Sequence, residues 1–403
     1  MDLQMTLSRM TDSAVVEYCS KALLDMFLFI PRPRLTNTIK VAMAAASKRY
    51  PTVLVLCEVW MANHEHLILF APDNDASDWI GHMHQVVAES INREFSRSEK
   101  VFSGKQSFMA CIHSMRQLVG RITYILSNPT KAGIARSYRD YHGVVICAEN
   151  EPREIEVVRS EPAFSPRSRV LKEGTIRVAG LNEVSEYFAE HEQRDVLDIE
   201  RQAKVLAHAD AARNAAQSEA PKSSSSTTDE HTDKHTDEQK LSPEEEEMLA
   251  IDELFPEFGG AGKRGDIDYA AIVKRAVLAR EAFHRQEWEA RGVPIPTAKV
   301  MAERNAEMLK NKVWQSPPPG YYEKKAAESG RRAPRPYFYS SREEREFRER
   351  RHAAFLEAYR EARAQWLAGG TDVVFPRGTT KMRGLPNVVI DTGPPELRLP
   401  VET

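Results

Sequence analysis

Residues 52–70 read TVLVLCEVWMANHEHLILF, and this stretch decides how the N-terminal part of the chain folds. TVLVLCEVW (52–60) is β-branched and apolar, as a central strand is. Met61 to Asn63 make a turn, and HEHLILF (64–70) supplies a second strand.

Working upstream, Pro51 ends a helix predicted over Thr36 to Arg49, with Ile39, Val41, Met43 and Ala44 among its apolar positions. Before it, the apolar run Met26 to Ile30 is closed by the Pro-Arg-Pro turn at Pro31 to Pro33. Downstream, Ser77 or Asp78 caps a helix to about Arg97, with Ile80, Met83, Val87 and Ile91 at helical spacing. A strand near Ser107 to Ile112 follows, then a helix from Ser114 into Ser127 that Asn128–Pro129 stops. The order is β-α-β-β-α-β plus one helix, the ferredoxin-like split βαβ pattern of an α+β fold with an antiparallel sheet.

At 403 residues the chain is long enough for two or three domains. Residues 1–150 hold the α+β unit, and 151–216 read as an irregular extension ending in a helix from roughly Asn182 to Ala216. Residues 217–247 carry Ser223 to Ser226 and the acidic block Glu244 to Glu247, a linker whose composition buries no core and predicts disorder. Residues 248–403 form a mainly helical region to which the sequence assigns no role. There Phe355, Tyr359, Ala362 and Trp366 share one helix face, Gly369–Gly370 ends that helix, and DVVFP (372–376) follows.

With 41% hydrophobic residues, 29% charged and a net charge of -3, the chain has no global basic excess, so any nucleic-acid contact needs a local basic surface. Cys19, Cys57, Cys111 and Cys147 form no CxxC pair, and Cys57 and Cys111 lie in apolar runs, which points to buried thiols of a reduced, cytosolic protein. No signal peptide opens the chain, and no run approaches the ~18 apolar residues of a membrane helix, so a cytoplasmic location without membrane contact is expected.

His64 and His66 stand two apart on a predicted strand, so both imidazoles project from one face and can share a metal. The spacing alone is weak: twelve histidines in 403 residues give roughly 0.4 such pairs by chance. His82 and His84 repeat it on a predicted helix, where side chains two apart diverge by about 200°, and read as ordinary helix residues. Tyr124 and Asn128 sit four apart near a helix end, share a face and can enter one site. Taken singly, each has a plain reading, a core tyrosine and a helix stop.

Together the two elements are specific. The turn N-H-x-H-L (63–67), followed by Y-I-x-x-N-P-x-K-A-G (124–133), resembles the HUH single-tyrosine transposases, and most of all the REP-associated tyrosine transposase branch. INREFSR (91–97), VFSGKQSF (101–108) and ARSYRDYHG (135–143) are similar to further segments of that family, and DVVFPRGTTKMR (372–383) to the tails of some long members. The likeness spans about residues 25–145. It implies an HUH domain with a catalytic helix, in which His64 and His66, with Asn128, bind Mg²⁺ or Mn²⁺. Tyr124 is then the nucleophile on single-stranded or hairpin DNA, leaving a 5′-phosphotyrosine and a free 3′-OH. It also implies a bacterial cytosolic or nucleoid protein, with a homodimer among the expected forms.

The sequence departs from the family at two places. Glu65 stands between the histidines where a bulky apolar residue is usual, and a carboxylate there is costly unless paired or at a sheet edge. FLFIPRPRLT (27–36) lacks the His and Arg-Gly of the family's first strand, leaving Arg32 and Arg34 as the phosphate-holding candidates. These departures motivate the alternative of a domesticated DNA-binding protein without turnover. Lys105, Arg116, Arg121 and Lys131 are further candidate DNA contacts that also read as surface charge. RRAPRPYFYSSREEREFRERR (331–351) interleaves arginines with aromatics, as suits unpaired bases or a solvated helix start.

Overall fold

The first strand lies earlier than expected. In the computed structural model, Val15–Lys21 (β1) is the strand, whereas Met26 to Ile30 is irregular, with Leu28, Phe29 and Ile30 buried. The structure describes residues 13–103, 107–160, 172–190, 267–328, 342–376 and 385–391, with Thr379 and Met382. In VVEYCSK the charges of Glu17 and Lys21 hide the strand pattern, yet Glu17 is fully buried because the Arg121 guanidinium neutralises it.

The chain then forms α1 (Pro33–Arg49), β2 (Leu54–Trp60), β3 (His64–Phe70), α2 (Ala76–Glu94), β4 (Phe108–Ile112) and α3 (Met115–Lys131). Proline in the first turn of α1 loses no helical hydrogen bond, and Ser114 caps α3 by accepting the Gln117 N–H. The expected stop at Asn128–Pro129 is overrun. Pro129 lies in the last turn, where only its own N–H is missing, and the Asn128 and Pro129 carbonyls still accept from Ala132 and Ile134.

These strands pair antiparallel in the order β4-β1-β3-β2. Residues 153–158 and 173–178, expected to be irregular, extend the same sheet. β5 (Val145–Cys147) pairs antiparallel with β2, β7 (Glu173–Val178) joins β2 in parallel, and β6 (Arg153–Val158) pairs with β7. The result is a seven-stranded mixed sheet in a mixed α/β architecture. REIEVV in β6 alternates charge and apolar residues because one face of this outer strand meets solvent. Residues 181–190 are helical; the rest of the helix expected to Ala216, the linker 217–247 and the arginine-aromatic stretch 331–341 lie outside the described residues.

Strand alternation separates the two faces of β3. Glu65 and Leu67 point toward α2, where His84 meets Glu65, while His64 and His66 point toward α3, where Tyr124 meets His66. The C-terminal region contributes α4 (Tyr269–Ala290), α5 (Ala298–Lys310), α6 (Tyr321–Glu328) and α7 (Arg342–Leu367). α4 lies along α3 and sends Tyr269, Ile272, Val273, Ala276 and Val277 into the main core. Phe355, Tyr359 and Ala362 of α7 instead pack on Val373 and Phe375 of β8 (Val373–Phe375), with Trp366 partly buried beside them. β8 pairs in parallel with β9 (Val388–Ile390). Among the described residues no helix is long and apolar enough to cross a membrane.

Candidate active site

β3 presents His64 and His66 side by side, their ring centroids 5.2 Å apart and nearly perpendicular. The Tyr124 ring of α3 lies 5.7 Å from the His66 ring, again edge to face. Two strand residues and one helix residue some sixty positions later thus share one patch of the sheet face.

The two imidazoles differ in charge. Burial pushes His64 down to about 3, helped by His66 and Lys21, so its ring is neutral. Its Nδ1 faces Asn63 Oδ1 at 2.8 Å, an arrangement that leaves Nε2 with the lone pair. Burial also works to lower His66, but Cys19, directly across the strand, and Glu17 outweigh it and raise the ring to about 10. Glu17 Oε1 stands 3.8 Å from His66 Nδ1, an ion-pair distance rather than a hydrogen bond.

Glu17 is the hub beneath the site. Burial alone would raise its pKa; the charge of Arg121, and then His66, holds it at about 2. Arg121 donates Nε to Oε2 at 2.5 Å and Nη2 to Oε1 at 2.7 Å, a bidentate fork. The same guanidinium sits 4.6 Å from the Tyr124 ring centroid, with Lys131 Nζ at 5.2 Å and the Arg280 guanidinium of α4 at 5.4 Å. Tyr124 is therefore half-buried among three cations.

Asn128 lies one turn beyond Tyr124 on the same helix, is 8% exposed, and its buried Nδ2 has no hydrogen-bond partner. The two imidazoles on one strand face are donors of a kind that suits a divalent cation, to which Asn128 would add only its Oδ1, since an amide Nδ2 donates hydrogen bonds and ligates no metal. Among the described residues no group of three or more His, Cys, Asp and Glu is placed to hold a metal ion.

The expected DNA contacts scatter. Arg121 is committed to Glu17 and only 4% exposed, so its role as a phosphate ligand is revised to that of a buried ion-pair partner. Arg32 is likewise bound, donating to both Glu94 oxygens at 2.9 and 2.8 Å, and Arg34 lies 4.0 Å from the same carboxylate. Both belong to the α1–α2 layer on the far side of the sheet. Arg116 is half-buried in the first turn of α3, about 12 Å along the axis from Tyr124. Of the six, Arg121 and Lys131 stand at the tyrosine, Arg121 bound to Glu17, and Lys105 lies outside the described residues.

Sequence reasoning missed three features. Glu65 is fully buried but not alone, because His84 hydrogen-bonds Oε1 while stacking flat on Phe102 at 3.8 Å. His84, expected to be an ordinary helix residue, is thus the partner that the carboxylate needs. His82 stays half-exposed on the helix surface. The Glu17–Arg121 pair and Arg280 were missed because their partners lie over a hundred residues away in sequence, where no local spacing marks them.

Comparison with known proteins adds little. No family model matches the chain, and no curated protein matches it. One solved structure is similar. It is described as a REP-associated tyrosine transposase bound to a REP hairpin, and the likeness has a TM-score of 0.27 at 14% identity, covering 32% of this chain and 73% of the other. Likeness at that level carries no structural argument, and the functional reading rests on the site itself.

Proposed function

We propose that the chain is a single-tyrosine HUH enzyme, on a ferredoxin-like βαββαβ domain, that cuts and rejoins single-stranded DNA at a hairpin-bearing end or repeat. The observation that carries the reading is the convergence of His64 and His66 with Tyr124, at ring separations of 5.2 and 5.7 Å. The antiparallel order β4-β1-β3-β2, with helices after β1 and β3, supports the domain assignment.

The Tyr124 oxygen forms a bond to phosphorus as the bond from phosphorus to the 3′-oxygen breaks. The phenolic proton passes to solvent, and the departing 3′-oxygen takes one up, so the products are a 5′-phosphotyrosine and a 3′-hydroxyl. Attack of a 3′-hydroxyl on the phosphotyrosine reverses the step and restores the phenol. The phosphodiester bond energy is kept throughout, so rejoining needs no nucleotide cofactor. A tyrosine phenol titrates near pH ~10 in water and is a weak nucleophile at neutral pH. Mg²⁺ or Mn²⁺, held by His64, His66 and Asn128, supplies Lewis-acid polarisation of the phosphate when bound. Arg121 and Lys131 lie over the Tyr124 ring at 4.6 and 5.2 Å.

A second reading, DNA binding without turnover, is favoured by one observation. His66 holds its proton to about pH 10 beside Glu17 and Cys19, and a protonated imidazole is no ligand. One assay separates the two. Labelled single-stranded hairpin oligonucleotides are incubated with Mn²⁺ or Mg²⁺ and resolved on a denaturing gel. A slow protein–DNA adduct, lost with EDTA and in Tyr124→Phe, is the expected result. Binding without adduct in either metal supports the second reading, and an adduct that survives Tyr124→Phe removes Tyr124 as nucleophile.

A further inference from the structure

We infer that Cys57 of β2 and Cys147 of β5 form a thiol-oxidation site, at which a hydroperoxide closes a reversible disulfide across the two strands. Neither sulfur takes part in the chemistry proposed for Tyr124.

The sheet register places the pair. β5 runs antiparallel to β2 with Cys147 directly opposite Cys57. Two backbone bonds fix the kind of pairing: Trp60 N–H donates to the Val144 carbonyl at 3.1 Å, and Ala148 N–H donates to the Leu56 carbonyl at 2.7 Å. Bonded and non-bonded pairs alternate along an antiparallel ladder, so Cys57 and Cys147 occupy a non-bonded position. There the Cα atoms stand about 4.5 Å apart and the two side chains leave the same face side by side. A disulfide spans Cα separations of about 4.4–6.8 Å, so this pair is within its reach. β5 is three residues long and β2 is its strand partner among the described residues, which lets it shift slightly as the sulfurs join.

The other two cysteines do not compete. Cys19 lies on β1 opposite His66, with β3 between it and β2, so its Cα is at least about 9.5 Å from that of Cys57, too far for a disulfide. Cys111 of β4 pairs with Val16, which alternation puts on the opposite face of the sheet from Cys19.

Cys147 is half-buried and Cys57 fully buried, so an oxidant meets Cys147 first. The Cys147 thiol donates to the Ala148 carbonyl at 3.3 Å, a weak bond given up when Sγ turns toward Cys57. Burial pushes Cys147 up to about 12, with Arg153 working against it and Glu149 adding to it. Burial likewise raises Cys57, followed by Cys147, Glu17 and Glu58. Both groups are therefore neutral thiols near pH ~7, and their oxidation is slow. The disulfide carries no charge, so the burial that opposes the thiolates does not oppose the product.

The Cys147 sulfur, on losing its proton, attacks the hydroperoxide and breaks the O–O bond, giving a sulfenic acid and releasing an alcohol, or water from hydrogen peroxide. The Cys57 sulfur then attacks that of Cys147, loses its proton and expels the hydroxyl as water. The two sulfurs have given two electrons to one O–O bond, and a dithiol returns them. The new bond closes residues 57–147 into one covalent loop that contains β3, α2, β4 and α3, and with them His64, His66 and Tyr124.

The test uses the folded full chain, held for hours in hydrogen peroxide, quenched, unfolded and counted for free thiols by maleimide labelling and mass. The four thiols of the chain are expected to fall to two, with an unreduced tryptic map joining the peptides of Cys57 and Cys147. Dithiothreitol restores all four. The oxidised chain is expected to melt several degrees above the reduced one, because the cross-link closes a long loop. In Cys57→Ser the sulfenic acid on Cys147 has no resolving thiol and is trapped by dimedone. Cys147→Ser, at the half-buried position, forms no internal cross-link and serves if Cys57→Ser melts early. Four free thiols after oxidation of the wild type overturn the site. So does a cross-link through Cys19 or Cys111, or a Cys147 carried on to sulfinic acid while Cys57 stays free.

Discussion

Glu17 ties the stability of the fold to the chemistry of the site. It is fully buried, it anchors Arg121 through two hydrogen bonds, and it helps hold the proton on His66. Its pKa is depressed from 4.5 to about 2, so its stabilising contribution is complete above pH 4.5 and is lost as pH falls toward 2. His66, raised to about 10, must release its proton before it can ligate a cation. Mn²⁺ binding near pH 7.5 is therefore expected to release about one proton, with apparent affinity rising about tenfold per pH unit. Calorimetry in two buffers of unequal ionisation enthalpy reads that number directly. Glu17→Gln lowers the His66 pKa, so the proton count falls; it also leaves Arg121 buried and uncompensated, at a cost of about 3–5 kcal/mol in thermal unfolding. Zero protons released by the wild type would mean that His66 is neutral beforehand or is not a ligand. None of this was legible locally. In VVEYCSK the glutamate reads as an interruption, because the partner that makes it a buried residue is supplied by a helix 104 positions later.

At the scale of elements, the sequence exposed what local pattern encodes. β2 and β3 were readable because an apolar run broken only by Glu58 and the alternation of His64 and His66 both survive without knowledge of neighbours. β6 and β7 were not, since their alternating charge is that of an amphipathic surface until a sheet edge is there to receive it. The end of α3 was misjudged for the opposite reason: Asn128–Pro129 is a strong local stop, overridden by packing of the last turn against α4. Gly133 records that packing. Its φ of +68° favours glycine, and an added Cβ would lie 2.7 Å from two Trp288 ring carbons. Gly133→Ala is expected to lower the melting temperature by several degrees, combining a left-handed backbone cost of about 1 kcal/mol with the clash. Trp288→Ala removes the clash but not the backbone cost, so the double variant is expected to lose less than the sum of the singles. Strict additivity in the thermal unfolding data would show that the two residues do not meet.

For the whole molecule, the decisive contacts are those that join the C-terminal region to the sheet domain. The sequence divides the chain at an acidic Ser/Thr stretch, and composition alone makes the parts look independent. The structure instead runs one core through both, with five apolar side chains of α4 buried beside α3. Complete burial of such side chains is worth about 1.5–3 kcal/mol each before the costs of ordering. Asn305 of α5 donates to the Pro31 carbonyl at 3.3 Å, and Trp314 stacks on Phe95 at 4.1 Å, so the grip extends around to α1 and α2. Two polypeptides comprising residues 1–216 and 248–403 are accordingly expected to associate when co-expressed. They should co-purify as a one-to-one complex at micromolar concentration, the covalent link serving only to raise the effective concentration of one part for the other. Made alone, 1–216 exposes the apolar groove along α3 and is expected to melt at lower temperature and to bind a hydrophobic dye. Adding 248–403 back should reverse both changes. Separate elution of the two polypeptides, with an unchanged melting temperature for 1–216, would show that α4 rests on the domain without stabilising it.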